Sequence, residues 1–264
     1  MDKIAIFISG RLTCYETNLI PALIILSRNY DVHLFISING ERDEYHITAE
    51  RLLGKWLKDI RYEKFKCPIE NNINIESLQQ EVDGKKMPYT VMSCFYNDMK
   101  AFELIEKYES ANNMNFRLYC KLRPDMIFYQ LPQFHFVLPD PNDNKLYSCV
   151  PECPIWFYGW QKTPICISDA FAYGNKKIMQ LYCNAYNFGI EMNDKLNGDY
   201  RFNYETLITE NMLGSYLIDK EKYKTEEDII NAFVNNKRKI QINYFQCPYN
   251  LNKNRRNRDT IKHT

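Results

Sequence analysis

The sequence predicts an α/β protein whose mostly parallel sheet is flanked by helices. Three observations carry this. Lys3–Ser9 and Asp31–Ser37 are short, almost unbroken apolar runs, the pattern of strands buried on both faces. One helical pattern separates them, so strand, helix and strand fit the size of a βαβ unit. A third apolar-rich run, Phe116–Leu122, follows another helical stripe directly.

Taken in order, Gly10-Arg11 ends the first strand. Leu19, Leu23, Leu26 and Tyr30 then lie on one helical face, with Pro21 tolerable only in the first turn. Tyr45, Ala49, Leu52, Trp56 and Ile60 trace a second amphipathic helix, and Arg61–Lys66 offers a third strand. Residues 68–88 are polar and read as a loop. Phe95, Met99, Phe102 and Ile105 form a third helical stripe, with Glu103 and Lys107 at a favourable i,i+4 spacing. After residue 130, six prolines punctuate short β-like pieces at Leu146–Val150, Ile155–Trp160 and Ile165–Ser168. Ser168-Asp169 precedes a helical run through Ile178, Met179, Tyr182 and Tyr186, and Asp169 is a preferred residue type for its N-cap. Tyr204–Ile218 reads as a helix with Leu207, Ile208, Met212 and Leu217 inward, and residues 240–246 as a closing strand. No internal repeat or low-complexity linker interrupts the chain.

Composition narrows the function classes. The 264 residues are 45% hydrophobic, enough for one large α/β domain, or a domain with a subdomain, with a real core. A net charge of +1 gives no global attraction to nucleic acid or membrane. Only the stretch from Lys253 to His263 is strongly basic, and it reads as a frayed tail or as one that touches phosphate or a membrane. The nine cysteines form no Cys-x-x-Cys pair, which disfavours a zinc ribbon, and Cys120 and Cys166 read as reduced core thiols. The N-terminal apolar run is too short for a secretory signal, and Leu19–Leu26 falls far short of the ~20 residues that span a bilayer. A cytoplasmic protein with no transmembrane segment is expected. Gly-x-Gly-x-x-Gly and Gly-x-x-x-x-Gly-Lys are both absent, and none of the four histidines joins a hydrolase motif. Asp, Glu and Arg are left as the chemistry-bearing residues.

The most informative stretch is Phe116–Tyr129, where a strand meets Arg123-Pro124-Asp125. Pro124 bends or ends the strand. A cation and a carboxylate are thereby placed two positions apart at a strand end, where open α/β sheets bind ligands. A guanidinium suits phosphate oxygens and a carboxylate suits a hard divalent cation, which together suggest a metal-diphosphate site. The plainer alternative is a surface turn closed by a local ion pair. Gly10-Arg11 has the same two readings: Gly10 lets the backbone approach a nucleotide and Arg11 contacts its diphosphate, or the pair is a simple turn. Asp169 is a helix cap, a general base or an acceptor ligand. Glu210 is a solvated-face residue or a catalytic or acceptor-binding one. Trp156 and Trp160 pack the second half or stack on a sugar.

Four segments in this order resemble a glycosyltransferase of GT-A type, similar to the small capsular-polysaccharide and large-DNA-virus enzymes of that fold. They are Ile6–Arg11; Lys121–Asp125, standing in place of the family's Asp-x-Asp motif; Ser168–Asn175, similar to an Asp-x-x-Ala-x-Gly element; and Glu210–Leu217, similar to a late Glu-x-x-Leu-x-x-Tyr-Leu helix. The resemblance implies a single GT-A-like domain over residues 1–250, with a nucleotide-binding half at 1–130, an acceptor half at 131–250 and a basic flexible tail at 251–264. It implies transfer of a hexosyl or pentosyl group from a nucleotide-diphosphate sugar to a carbohydrate acceptor, in the host cytoplasm if the protein is viral. The alternatives are a non-catalytic binding protein on a degenerate scaffold and a sugar nucleotidyltransferase. Gly10, Arg11, Arg123 and Asp125 are implied to bind the donor, and Asp125 to hold Mn²⁺ or Mg²⁺. Asp169 and Glu210 are implied as the catalytic carboxylates, which favours an inverting reaction. The chain departs from the family where Arg-x-Asp replaces Asp-x-Asp: Asp125 still holds a cation, or Arg123 takes over leaving-group stabilisation without one.

Overall fold

The computed structural model describes residues 1–69, 81–82, 85–128, 135–149, 155–157, 161–163, 167–198, 200, 202–214, 227–228, 231, 235, 238–245 and 249–251. The basic stretch from Lys253 onward, Cys166, Trp160 and the side chain of Trp156 lie outside the described residues. In the first part, strand β1 (Asp2–Ser9) leads through a π-helical turn (Tyr15–Leu19) into α1 (Ile20–Leu26), then β2 (Tyr30–Asn39), α2 (Glu44–Leu53) and β3 (Leu57–Glu63). A short pair, β4 (Glu81–Val82) and β5 (Lys85–Lys86), precedes the long helix α3 (Met87–Asn112), strand β6 (Leu118–Leu122) and β7 (Met126–Phe128). The second part contains β8 (Lys145–Cys149), the antiparallel pair β9 (Ile155–Phe157) and β10 (Gln161–Thr163), and β11 (Phe171–Gly174). Helices α4 (Lys176–Cys183), α5 (Ala185–Lys195) and α6 (Tyr204–Leu213) follow, then β12 (Gln241–Phe245) and β13 (Tyr249–Leu251).

Seven strands form one sheet in the order β12-β8-β11-β6-β1-β2-β3. Four of its six pairings are parallel, and β11 runs antiparallel to both of its neighbours. This is the α/β architecture that the sequence predicts. The apolar run of β1 has the expected cause. Ala5 and Phe7 enter the core under α3, α4, α5 and α6, while Ile4, Ile6 and Ile8 enter the core under α1 and α2. Each face of the strand is covered, so each residue is apolar. The chain steps outward from β1 to β3 and then returns with β6 on the other side of β1. That reversal makes the carboxyl ends of β1 and β6 a topological switch point, the crevice where such sheets take ligands.

Several boundaries differ from expectation. Helix α2 stops at Leu53, and Ile60 belongs to β3. Gly54 is a poor helix former, and the ladder to β2 claims the residues that follow. Helix α3 begins at Met87, so the expected loop ends earlier. The helical run after Asp169 is divided. Phe171–Gly174 is a strand, inserted between β6 and β8, and the helix begins only at Lys176. Its N-cap is Asn175, whose side chain accepts from the Ile178 N–H at 3.0 Å, so Asp169 is not a helix cap. Helix α6 ends at Gly214, which closes it in the left-handed region at φ 66°. Among the described residues no helix is long and apolar enough to cross a membrane.

Asn175 also donates its Nδ2 to the carbonyls of Asp140, Pro141 and Asp143 at 2.9, 3.2 and 2.7 Å. It therefore ties the loop before β8 to the start of α4. A lost cap costs about 1 kcal/mol and each lost buried bond about 0.5–1.5 kcal/mol. Asn175→Ala is expected to lower stability in urea unfolding by at least ~2 kcal/mol. A loss under ~0.5 kcal/mol would show that neither role matters.

Candidate active site

The crevice is built from backbone upward. At the end of β1, Gly10 turns the chain at φ 85°, a conformation that strains any other residue, and its N–H donates to Ser37 carbonyl at 2.9 Å. Arg11 follows with an exposed side chain. Helix α3 crosses above the same strand ends with a polar face. Ser37 Oγ donates to Asn97 Oδ1 at 2.8 Å, and Asn39 Nδ2 donates to Ser93 Oγ at 2.7 Å. The strongest link is Lys121, in β6, which is 1% exposed. Its ammonium forms an ion pair with Asp98 of α3 and donates to Ser9 Oγ at 2.5 Å. Burial pulls the Lys121 ammonium below its ordinary pKa, and Asp98 supplies the opposite charge that keeps it in the interior.

Beyond Lys121 the strand ends and Arg123 begins the site proper. Its N–H donates to Ala170 carbonyl at 3.0 Å, which extends the β6–β11 ladder. Its guanidinium forks onto Asp125, with Nε to Oδ1 at 3.0 Å and Nη2 to Oδ2 at 2.9 Å. Nη1 reaches Asp169 Oδ2 at 3.1 Å, across 46 residues of sequence. Burial alone would lower the Arg123 pKa, but the charges of Asp169 and Asp125 outweigh it and hold the group above its ordinary value. The side chain of Asp125 is 5% exposed and that of Asp169 14%.

Asp169 is placed by a backbone strap held from three elements. The Ile167 N–H donates to Thr209 Oγ1 of α6 at 3.1 Å, and the Ser168 N–H to Ser148 Oγ of β8 at 3.0 Å. Tyr182 of α4 donates its hydroxyl to Ser168 carbonyl at 2.9 Å. Glu210 is fully buried in α6 rather than on a solvated face, and its Oε2 accepts from Tyr200 Oη at 2.7 Å. Cys94 of α3 lies near Ser9, Lys121, Asp169 and Arg123, and burial pushes its thiol above the ordinary 9.0, which keeps it protonated at neutral pH.

A second feature adjoins the crevice. A cleft of about 580 Å³ opens between the π-helical turn and the start of α2, lined by Tyr15, Glu16, Asp43, Glu44, Tyr45 and Thr48 among others. Tyr15 and Tyr45 meet edge to face at 5.2 Å, and Tyr45 Oη donates to Leu12 carbonyl at 2.8 Å. Backbone donation from His46 holds the Asp43 carboxylate below its usual pKa range, so it is charged at neutral pH. Arg123, Asp125 and Asp169 do not line this cleft; β7, which begins directly after Asp125, packs on the π-helical turn that forms its wall.

The structure thus gathers Arg123, Asp125 and Asp169 into one cluster, and sets Gly10 and Arg11 at the end of the adjacent strand. It holds Glu210 in the interior against Tyr200. Lys121, Asp98 and Cys94 were not singled out as site residues from sequence. A signal was present for two of them. Lys121 is a charge within an apolar strand, and Asp98 lies between Phe95 and Phe102 on the inward stripe of α3. A divalent cation at Asp125 does not fit the donor set as folded: Arg123 engages both Asp125 oxygens and one of Asp169. Among the described residues no group of three or more His, Cys, Asp or Glu side chains gathers to hold a metal ion.

No family model matches the chain, and no curated protein matches it. Similar solved structures include a glycosyltransferase involved in the glycosylation of the major capsid of PBCV-1, at 9% identity and a TM-score of 0.36 over 92% of this chain and 81% of that one. The mannosyltransferase Ktr4p from S. cerevisiae is similar at 14% identity and a TM-score of 0.29, over 48% of this chain and 33% of the yeast enzyme.

The Lys121–Asp98 pair yields a stability test. Breaking a buried pair leaves an uncompensated charge and costs about 3–5 kcal/mol, whereas an apolar replacement of both partners is often neutral. Asp98→Asn is expected to lose that much in urea unfolding. The double variant Asp98→Leu/Lys121→Met should recover most of it. A loss below ~1 kcal/mol in Asp98→Asn would place the pair outside the core.

Proposed function

We propose that this chain transfers a sugar from a nucleotide-diphosphate donor to a hydroxyl of a carbohydrate acceptor. The observation that carries the reading is the placement of Arg123, Asp125 and Asp169 together at the switch point of the sheet, beside Gly10 and Arg11. In this reading the nucleoside lies toward the Tyr15–Tyr45 cleft. There the carboxylates Glu16, Asp43 and Glu44 suit ribose hydroxyls and repel phosphate. The diphosphate then lies along the ends of β1 and β6, where Arg11 is exposed to it.

Asp169 is the base. Arg123 engages its Oδ2, which leaves Oδ1 to accept the proton of the acceptor hydroxyl. The hydroxyl oxygen attacks the anomeric carbon. The bond from that carbon to the phosphate oxygen breaks, and the nucleoside diphosphate departs with the electron pair. A single carboxylate base acting on the incoming hydroxyl corresponds to inversion at the anomeric carbon. Glu210, buried and bonded to Tyr200, supports the acceptor wall from behind by fixing α6 beneath the strap.

Two measurements test the reading. In a thermal-shift screen of UDP, GDP, CMP and their sugars, at least one is expected to stabilise the fold. Ligand at ~100 times its Kd adds ~2.7 kcal/mol. No shift with any of them would favour a non-catalytic scaffold, and release of pyrophosphate from a nucleoside triphosphate and a sugar phosphate would favour a nucleotidyltransferase. Because Asp169 does not cap a helix, Asp169→Asn probes the site alone. It is expected to cut transfer to the acceptor ~10²–10³-fold. Slow donor hydrolysis and nucleotide binding should survive. Unchanged transfer removes the base, and parallel loss of nucleotide binding moves Asp169 into the donor site.

A further inference from the structure

We infer that Arg123 is a tethered cation, holding the seat between Asp125 and Asp169 that a divalent ion would take, so that the donor diphosphate is bound here without Mn²⁺ or Mg²⁺. The statement about the donor rests on the glycosyl-transfer reading; the statement about the cation seat rests on the cluster alone.

The geometry argues for this in three ways. First, one guanidinium satisfies both carboxylates at once, through Nε, Nη1 and Nη2 at 3.0, 3.1 and 2.9 Å. The fork matches the Asp125 carboxylate on both oxygens, which is the arrangement that makes arginine hard to displace. An ion entering between the same oxygens would meet a fixed positive charge at contact distance.

Second, the backbone that carries each carboxylate is held without help from the arginine side chain. Asp125 follows Pro124 at the end of β6, and Asp169 sits on the strap that Thr209, Ser148 and Tyr182 hold. Shortening the arginine therefore leaves two carboxylates facing one another across the space that it filled. Oxygen ligands of this kind suit Mn²⁺ and Mg²⁺. Third, the cluster is enclosed: the side chains of Arg123, Asp125 and Asp169 are 24%, 5% and 14% exposed, so bulk ions screen it weakly.

The test follows Mn²⁺ by electron paramagnetic resonance on the full chain. The wild-type protein is expected to bind no stoichiometric Mn²⁺, and its thermal shift with UDP or GDP should be the same in EDTA as in Mn²⁺. Arg123→Ala is expected to bind one Mn²⁺ at least tenfold more tightly than wild type. The further change Asp125→Asn should abolish that site. The inference is overturned if wild-type protein binds one Mn²⁺ that Asp125→Asn removes, or if its nucleotide shift appears only with Mn²⁺. It is equally overturned if folded Arg123→Ala binds Mn²⁺ no better than wild type. The wild-type arms decide the question even where the variant does not fold. A nucleotide shift absent from both buffers counts against glycosyl transfer alone, and the resonance signal still judges the cation seat.

Discussion

A lysine in the middle of the sheet is the constraint from which the crevice follows. Lys121 occupies an inward position of the central strand β6, in register with Phe7 of β1, under the long helix α3. An unpaired ammonium there would be costly, so α3 must bring Asp98 directly above it. That requirement sets the position of α3 along the strands. It also sets which of its residues reach the strand ends: Ser93 and Asn97 then fall over Asn39 and Ser37. Ser9, at the last position of β1, accepts from the same ammonium. One charge pair thus aligns the helix with three strands at the switch point of the sheet.

The crevice joins residues from distant parts of the chain through a single antiparallel strand. In β11, Phe171 pairs with Leu122, so the residues before β11 lie beside the residues after β6. Arg123 and Asp169 meet for that reason, and the Arg123 N–H to Ala170 carbonyl bond continues the ladder. A parallel strand in the same slot would have put its opposite end there. The strap of residues 167–170 is then fastened by side chains of β8, α4 and α6, which gives Asp169 little freedom. Such fastening suits the role of base proposed for Asp169, because its geometry is set before substrate arrives.

Charge is arranged on the same economy. The Lys121–Asp98 pair is internally neutral, and Arg123 balances one of its two carboxylate partners. The Tyr15–Tyr45 cleft is acidic and Arg11 stands exposed between the two features in sequence. Under the proposed function this distribution suits a donor with hydroxyls at one end and anionic oxygens nearer the strand ends, rather than a uniformly anionic one.

The sequence by itself determined the parts that depend on local period and on single residues. The two-faced apolar run of Lys3–Ser9 made β1 a central strand, and Pro124 made the end of β6 a turn with Arg123 and Asp125 on it. The partners were decided only by tertiary structure. Asp169 and Asn175 both precede the apolar run of α4 and both are good capping residues, and local sequence pointed to Asp169 as the cap. Asn175 became the cap because Phe171–Gly174 was taken into the sheet, and that same insertion turned Asp169 toward Arg123. Lys121 and Asp98 were visible as charges in apolar patterns, but their pairing depends on how a helix crosses a strand. Such pairings leave no periodic trace, because they are fixed by strand order and by the cost of burying an unpaired charge.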